Sequence, residues 1–260
     1  MRSIYLVVLS VWASTAYAST INVPLGTAGS FAVLAGSTVT STGPTAVGGD
    51  VGVSPGTSIT GLTPGMVNGV IHAGDTVALK AQADALTGYN FLAALAPDQN
   101  LTGHDLGGLT LTPGVYKFDS SAQLTGALTL NFQGTNDATF VFQTGSTLTT
   151  AAASSVVEVN PGRNDHVYFQ VGSSATLGTT TALEGDLVAL ASVTLNTGAT
   201  IQCGSALAIN GAVTLDSNVI NKNSCAAVTA TPEPGSMSLF AAGLLGLGGA
   251  MGAVRRKLRR

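Results

Sequence analysis

One five-residue template is written four times into this chain: GLTLT at 108–112, ALTLN at 127–131, SVTLN at 192–196 and AVTLD at 212–216. Each copy reads small, aliphatic, Thr, Leu, polar; the first two begin 19 residues apart and the last two 20. A second echo pairs FVFQ at 140–143 with VYFQ at 167–170, each followed one residue later by Gly-Ser. Between these lie other short β runs, such as FAVL at 31–34 and LVAL at 187–190, bounded by Gly, Pro, Asn or Thr-Gly turns. Alternation of apolar and polar residues suits a β-sandwich as well as a solenoid. A template reused at a period of about twenty residues selects the solenoid, in which each coil stacks on the next. The expected fold class is therefore mainly β.

One segment breaks the pattern. Residues 75–96 place Val77, Ala81, Ala85, Gly88, Leu92 and Leu95 three or four apart, the stripe of an amphipathic helix. Asp75 is positioned to cap its start, and Pro97 ends it. A lone helix cannot bury such a stripe by itself, so it is expected to lie along the β body.

The two ends read as export signals rather than fold. Arg2, an apolar run from Ile4 to Trp12 and Ala16-Tyr17-Ala18 form a secretory signal peptide over 1–18. At the other end a linker over 226–235 carries Pro232-Glu233-Pro234. An uncharged apolar stretch from Ser236 to Val254 and five basic residues among 255–260 follow. That stretch is long enough to span a bilayer, with its basic end on the cytoplasmic side. Motif, span and basic cluster together resemble the PEP-CTERM sorting signal of Gram-negative bacteria. The resemblance implies contact with export and sorting machinery, and a secreted or cell-envelope location. The domain proper is expected over 19–225. Its only cysteines, Cys203 and Cys225, form an even pair in an exported chain and are expected to make a disulfide.

Charged residues make up 9% of the chain, against about 25% in ordinary soluble proteins. Outside the two ends only Lys80, Lys117, Arg163 and Lys222 are basic, against twelve acids, which speaks against a nucleic-acid partner. His72, His104 and His166 are isolated, and no zinc, nucleophile-elbow or phosphate-loop motif occurs. The acids are scattered singly. A sugar-cleaving solenoid would need at least two of them to converge. No enzyme, metal or cofactor is expected.

The polar surface comes instead from Thr, Ser, Asn and Gly. Thr-Gly-x-Thr occurs four times, at Thr42/Thr45, Thr60/Thr63, Thr144/Thr147 and Thr197/Thr200. Threonine is a good strand residue in any case, so the motif by itself is weak. On a solenoid, rungs are about 4.8 Å apart and same-face residues along a strand about 6.5–7 Å apart, so outward threonines form a grid.

The stretches LGTAGSFAVLAGS (25–37), GDVGVSPG (49–56), GLTLTPGVY (108–116), FQVGSSATLGT (169–179) and LNTGAT (195–200) together resemble the microbial ice-binding proteins, in order, across residues 21–220. The resemblance implies a right-handed, discontinuous β-solenoid of triangular section with a helix alongside. It also implies a flat face that binds ice, some members carrying Thr-Ala/Gly-x-Thr/Asn there. Carried onto this chain, it selects Thr42, Thr45, Thr60, Thr63, Thr144, Thr147, Thr197 and Thr200, with Thr38, Thr40, Thr57 and Thr214 in reserve. The ice crystal is then the partner of a monomeric protein. A surface adhesin or polysaccharide-binding module is the alternative, and a solenoid hydrolase the third reading.

Overall fold

The computed structural model describes residues 21–223, all within the first of two compact units, Met1–Ala226 and Ala227–Arg260. The expected signal peptide, Cys225, the linker with Pro232-Glu233-Pro234 and the apolar span all lie outside the described residues. No helix among the described residues is long and apolar enough to cross a membrane.

The chain winds through three parallel sheets, here called A, B and C, visiting them in that order on successive coils. Sheet A has nine strands and runs Ile71–Ala73, Asp50–Val53, Phe31–Ala35, Ala206–Ala208, Asp186–Ala189, His166–Val171, Thr139–Thr144, Gly114–Phe118, Gln99–Asn100. Sheet B has seven: Ala122–Leu124, Leu148–Thr150, Ala175–Leu177, Val193–Leu195, Val213–Asp216, Thr38–Thr42, Ser58–Thr60. Sheet C has eight: Val67–Asn68, Ala46–Gly48, Val219–Asn221, Thr200–Gln202, Ala182–Glu184, Ser155–Val159, Ala127–Asn131, Thr110–Leu111.

The order in space is not the order in sequence. The first coil stacks on the last: Val33 pairs with Ala206, Val39 with Val213 and Val47 with Ile220. Each β run closes the open edge of another, and the helix leaves between the two halves.

Burial patterns separate the sheets. Strands of sheet A read apolar almost without break, FAVLA at 31–35 and TFVFQT at 139–144 being buried throughout. Both of their faces are covered, as in a parallel sheet with packing on each side. One face enters the solenoid interior, where Phe142 stacks on Phe169 with ring centroids 4.8 Å apart and Phe132 meets Phe140 edge-on at 4.9 Å. The other face packs Phe31, Leu34, Val141, Tyr168, Val188 and Leu207 against the helix. Strands of sheets B and C mostly alternate, because only their inner face is covered.

The helix spans Thr76–Ala94, with the Asp75 carboxylate accepting from the Ala78 amide at 2.8 Å. Its buried face is Ala78, Ala81, Gln82, Ala85, Gly88, Tyr89 and Leu92. Val77 does not belong to that face: it is 40% exposed, because the helix begins at Thr76 and sheet A meets Ala78 instead. Small residues allow close docking. A Cβ on Gly88 would stand 2.8 Å from the Leu25 side chain. Two glutamines then tie the helix down. Gln143 Nε2 donates to the carbonyls of Leu92 (2.7 Å) and Leu95 (2.8 Å), and Gln82 Nε2 donates to Ala208 (2.9 Å) and Ile209. Carbonyls at a helix end lack intrahelical partners, so Gln143 satisfies groups that burial would otherwise penalise.

Candidate functional site

Sheet A is covered by the helix, so sheets B and C are the flat faces open to solvent. On sheet B one column of outward residues runs across every strand in register: Gln123, Thr149, Thr176, Thr194, Thr214, Thr40, Thr60. Six of the seven are threonine, on six adjacent strands. At about 4.8 Å per strand the threonine row is about 24 Å long. The two chain segments meet within it, where Thr214 of the last coil lies beside Thr40 of the first. The inward neighbours Val193, Leu195, Val213, Leu215 and Val39 are fully buried or nearly so, which anchors each rung from below.

None of these six side-chain hydroxyls has a hydrogen-bond partner among the described residues; all six are left to solvent. Their β-branched side chains are stiff at χ1, so the row is ordered before anything binds. Flanking hydroxyls behave differently. Thr147 Oγ1 donates to Ser121 Oγ at 2.9 Å, Ser174 Oγ accepts from the Ser192 amide at 3.4 Å, and Ser192 Oγ accepts from the Ala212 amide at 3.2 Å. No charged residue stands in the threonine row or in this flanking column. The nearest acid, Asp216, ends its strand and accepts from Thr197 Oγ1. That hydrogen bond, with those of Ser217 and Thr42, holds its carboxyl below the usual range.

Sheet C offers a different surface. Its outward positions include Thr110 and Thr129 but also Val157, Glu184, Gln202 and Asn221. Glu184 is raised in pKa by burial, and Glu158 is pushed up to about 7 by burial and by the nearby Glu184 and Asp165 carboxylates. A mixed row of amide, valine and carboxylate is neither chemically uniform nor free of charge.

The eight threonines selected by Thr-Gly-x-Thr are not brought together. Thr60 stands in the row, with Thr42 and Thr147 on the same sheet at its two margins. Thr63 and Thr197 are exposed at the turns joining sheets B and C, and Thr200 lies on sheet C. Thr45 is 3% exposed inside a turn, accepting from Ser41 Oγ at 2.8 Å and from the Asn218 amide at 3.3 Å. Thr144 ends a strand of sheet A and is 2% exposed. These two cannot contact anything outside the protein. Thr-Gly-x-Thr does not gather its threonines on one face because the two straddle a turn and so point in unrelated directions.

The row has another signature in the sequence. GSTVT (36–40), GTSIT (56–60), GSTLT (145–149) and GSSAT (172–176) each place a row threonine four residues after a glycine. The glycine makes the corner from sheet A to sheet B. A Cβ there would meet the backbone of the neighbouring coil at 1.8 Å for Gly56, 2.5 Å for Gly36 and 2.6 Å for Gly145 and Gly172. Counting four from a corner therefore lands on the outward centre of sheet B. Thr40 and Thr214, the reserve positions, stand in the row, and Thr149, Thr176 and Thr194 stand there without a Thr-Gly-x-Thr motif.

Comparison with known proteins adds the family. The family described as Ice-binding-like matches residues 33–221. A protein of Nostoc sp. (strain HG1) named ice-binding protein is 52% identical over 260 residues, covering 98% of this chain and 94% of its own. The crystal structure of the ice-binding protein from the Antarctic ascomycete Antarctomyces psychrotrophicus is similar at a TM-score of 0.74. It is 42% identical, covering 77% of this chain and 98% of its own. An ice-binding protein with antifreeze activity from Arctic yeast has a TM-score of 0.72 at 32% identity, covering 81% of this chain and 98% of its own.

Proposed function

Since the chain belongs to the Ice-binding-like family, we propose that it binds ice through sheet B, and that the threonine row Thr149, Thr176, Thr194, Thr214, Thr40, Thr60 is the contact. The carrying observation is that six stiff, uncharged side chains stand in register with their hydroxyls unpartnered. Each side chain presents a methyl and a hydroxyl. The methyl excludes disordered water; the hydroxyl joins an ordered water layer without imposing the strong orientation a charge would. One such contact is worth only about 1 kcal/mol net. Six on one rigid row act together, and little side-chain entropy remains to be lost on binding. A protein held at many points stays on the crystal as the front advances around it. Growth then stalls at the pinned front, and small crystals are kept from coarsening.

The reading needs no catalytic chemistry, metal or cofactor. It includes export through the N-terminal signal and a Cys203–Cys225 disulfide fastening the last coil. It also includes a sorting role for the segment from Pro232 onward. The test is ice recrystallisation with two matched variants, Thr194→Tyr on sheet B and Thr129→Tyr on sheet C. Thr194→Tyr holds the face off the crystal and is expected to cut activity at least tenfold, with Thr129→Tyr unchanged. The opposite pattern would move the site to sheet C, and coarsening as fast as in buffer with the unaltered, folded protein would end the reading.

A further inference from the structure

Four of the six row threonines are counted from a corner glycine, but the two at the middle of the row are not. Four residues before Thr194 stands Leu190, and four before Thr214 stands Asn210. At the last coil Gly211, one residue later than the other corner glycines, still sits close to the neighbouring backbone, a Cβ there meeting the Ala191 carbonyl at 2.7 Å, and side-chain bonds are added to that approach. Asn210 Nδ2 donates to the Leu190 carbonyl at 3.0 Å. Ser192 Oγ accepts from the Ala212 amide at 3.2 Å, and the Ser192 amide is itself directed at Ser174 Oγ at 3.4 Å. The Ser192 hydroxyl fills the space over the next corner so closely that a Cβ on Gly211 would meet it at 2.2 Å. These bonds form a relay from the coil of Thr176 to that of Thr194 and on to that of Thr214, two residues before each threonine.

We propose that Ser192 is a positioning residue for ice binding, its hydroxyl fixing the Thr194 and Thr214 rungs at the centre of the row; this rests on the sheet B reading above. A row binds a lattice only where its spacing is uniform. Thr194 and Thr214 are paired by backbone register, and their strands enter the sheet through corners of different sequence, Leu190-Ala191-Ser192 and Asn210-Gly211-Ala212. Sheet hydrogen bonds fix which residues are opposite one another. Backbone bonds also cross the corner, from the Ala191 amide to the Ser173 carbonyl and from the Gly211 amide to the Ala191 carbonyl, both at 2.9 Å. The Ser192 hydroxyl, accepting from the Ala212 amide, adds a tie between coils closer to the row, two residues before each threonine. The flanking hydroxyl is therefore committed to the neighbouring coil and serves the row, whereas the row hydroxyls face the crystal.

The experiment compares Ser192→Ala, Ser192→Thr and Thr194→Tyr in the full chain, each confirmed folded at ice temperature by circular dichroism. The readout is the concentration that halts recrystallisation. Ser192→Ala is expected to need about fivefold more protein with an unchanged spectrum, and Ser192→Thr, which keeps the acceptor, to return within twofold of the parent. A purely structural serine would lower the melting temperature and leave activity at ice temperature untouched; that result overturns the proposal. If Thr194→Tyr abolishes activity while Ser192→Ala matches the parent, only the positioning role fails. If neither matters, the sheet B reading itself fails. Should Ser192→Ala not fold, Ser174→Ala, which removes the preceding acceptor, takes its place under the same criteria.

Discussion

Glu158 is the residue whose replacement should stabilise this protein, and only above a definable pH. It pairs in register with Leu130, which is fully buried, so its side chain shares the inward side of sheet C rather than the solvent side. No hydrogen bond to its carboxyl is found among the described residues. Burial first, then the carboxylates of Glu184 and Asp165, push its pKa from 4.5 up to about 7. The folded state therefore holds a proton that the unfolded chain releases. Below pH 4.5 both states are protonated and nothing is lost; between 4.5 and 7 the unfolded chain gains its charge freely, and stability falls until the pH passes the folded value. At about 1.4 kcal/mol per pH unit the full shift would cost about 3 kcal/mol. The side chain is only partly buried, so solvent screening reduces this to about 1–2 kcal/mol. Glu158→Gln imitates the protonated acid. It is expected to raise Tm by about 3–6 °C at pH 8 and to leave it unchanged at pH 4.5. Thermal melts of parent and variant at the two pH values give the difference directly. An equal shift at both pH values, or none at pH 8, would refute the argument that this carboxylate is buried unpaired.

The helix latch and the corners make further predictions. Gln143→Leu removes both hydrogen bonds from its amide to the helix end, leaving the Leu92 carbonyl only the long Leu95 amide contact at 3.4 Å; a loss of about 1–3 kcal/mol is expected in urea unfolding. Hydrogen exchange should rise first at the C-terminal turn of the helix. Gly56→Ala drives a methyl into the Ser37 carbonyl, 1.8 Å from the ideal Cβ, so the coil must shift, costing about 1–3 kcal/mol by thermal melt. That shift should also weaken the Thr60 end of the row. Asp75→Ala removes the helix cap and is expected to lower the melting temperature at neutral pH. The Ala78 amide bond and the His72 contact hold the Asp75 carboxyl below its ordinary range. The stabilisation this adds is present above the unfolded value of 3.8 and lost as pH falls through the folded one, so the parent and variant stability curves should converge in acid.

Much of the fold was legible because its causes are local. A period of about twenty residues with short alternating runs demands stacked coils, since no single coil can bury its own apolar face. The helix was legible for the same reason: a stripe at three-and-four spacing, an aspartate at one end and a proline past the other. The stripe differs at its first member, where Ala78 and not Val77 faces the sheet. Charge scarcity, too, is a property of composition and needs no coordinates.

What composition and period could not assign was the face. The template at 108–112 and 127–131 puts Thr110 and Thr129 on sheet C, whereas the same template at 192–196 and 212–216 puts Thr194 and Thr214 on sheet B. Identical local sequence specifies only one side in and one side out. Which side of the triangle a strand occupies depends on how many residues separate it from the last corner. Whether that side stays open depends on where the helix lies down. Thr144 and Thr194 are alike in sequence terms, yet one closes a strand in the sheet beneath the helix and the other faces solvent. The row itself joins residue 40 to residue 214, a contact that exists only because the first coil stacks on the last. Local propensity acts over a few residues and cannot encode an arrangement that depends on closing a loop of this length. Only the packed coils bring those six threonines into one line.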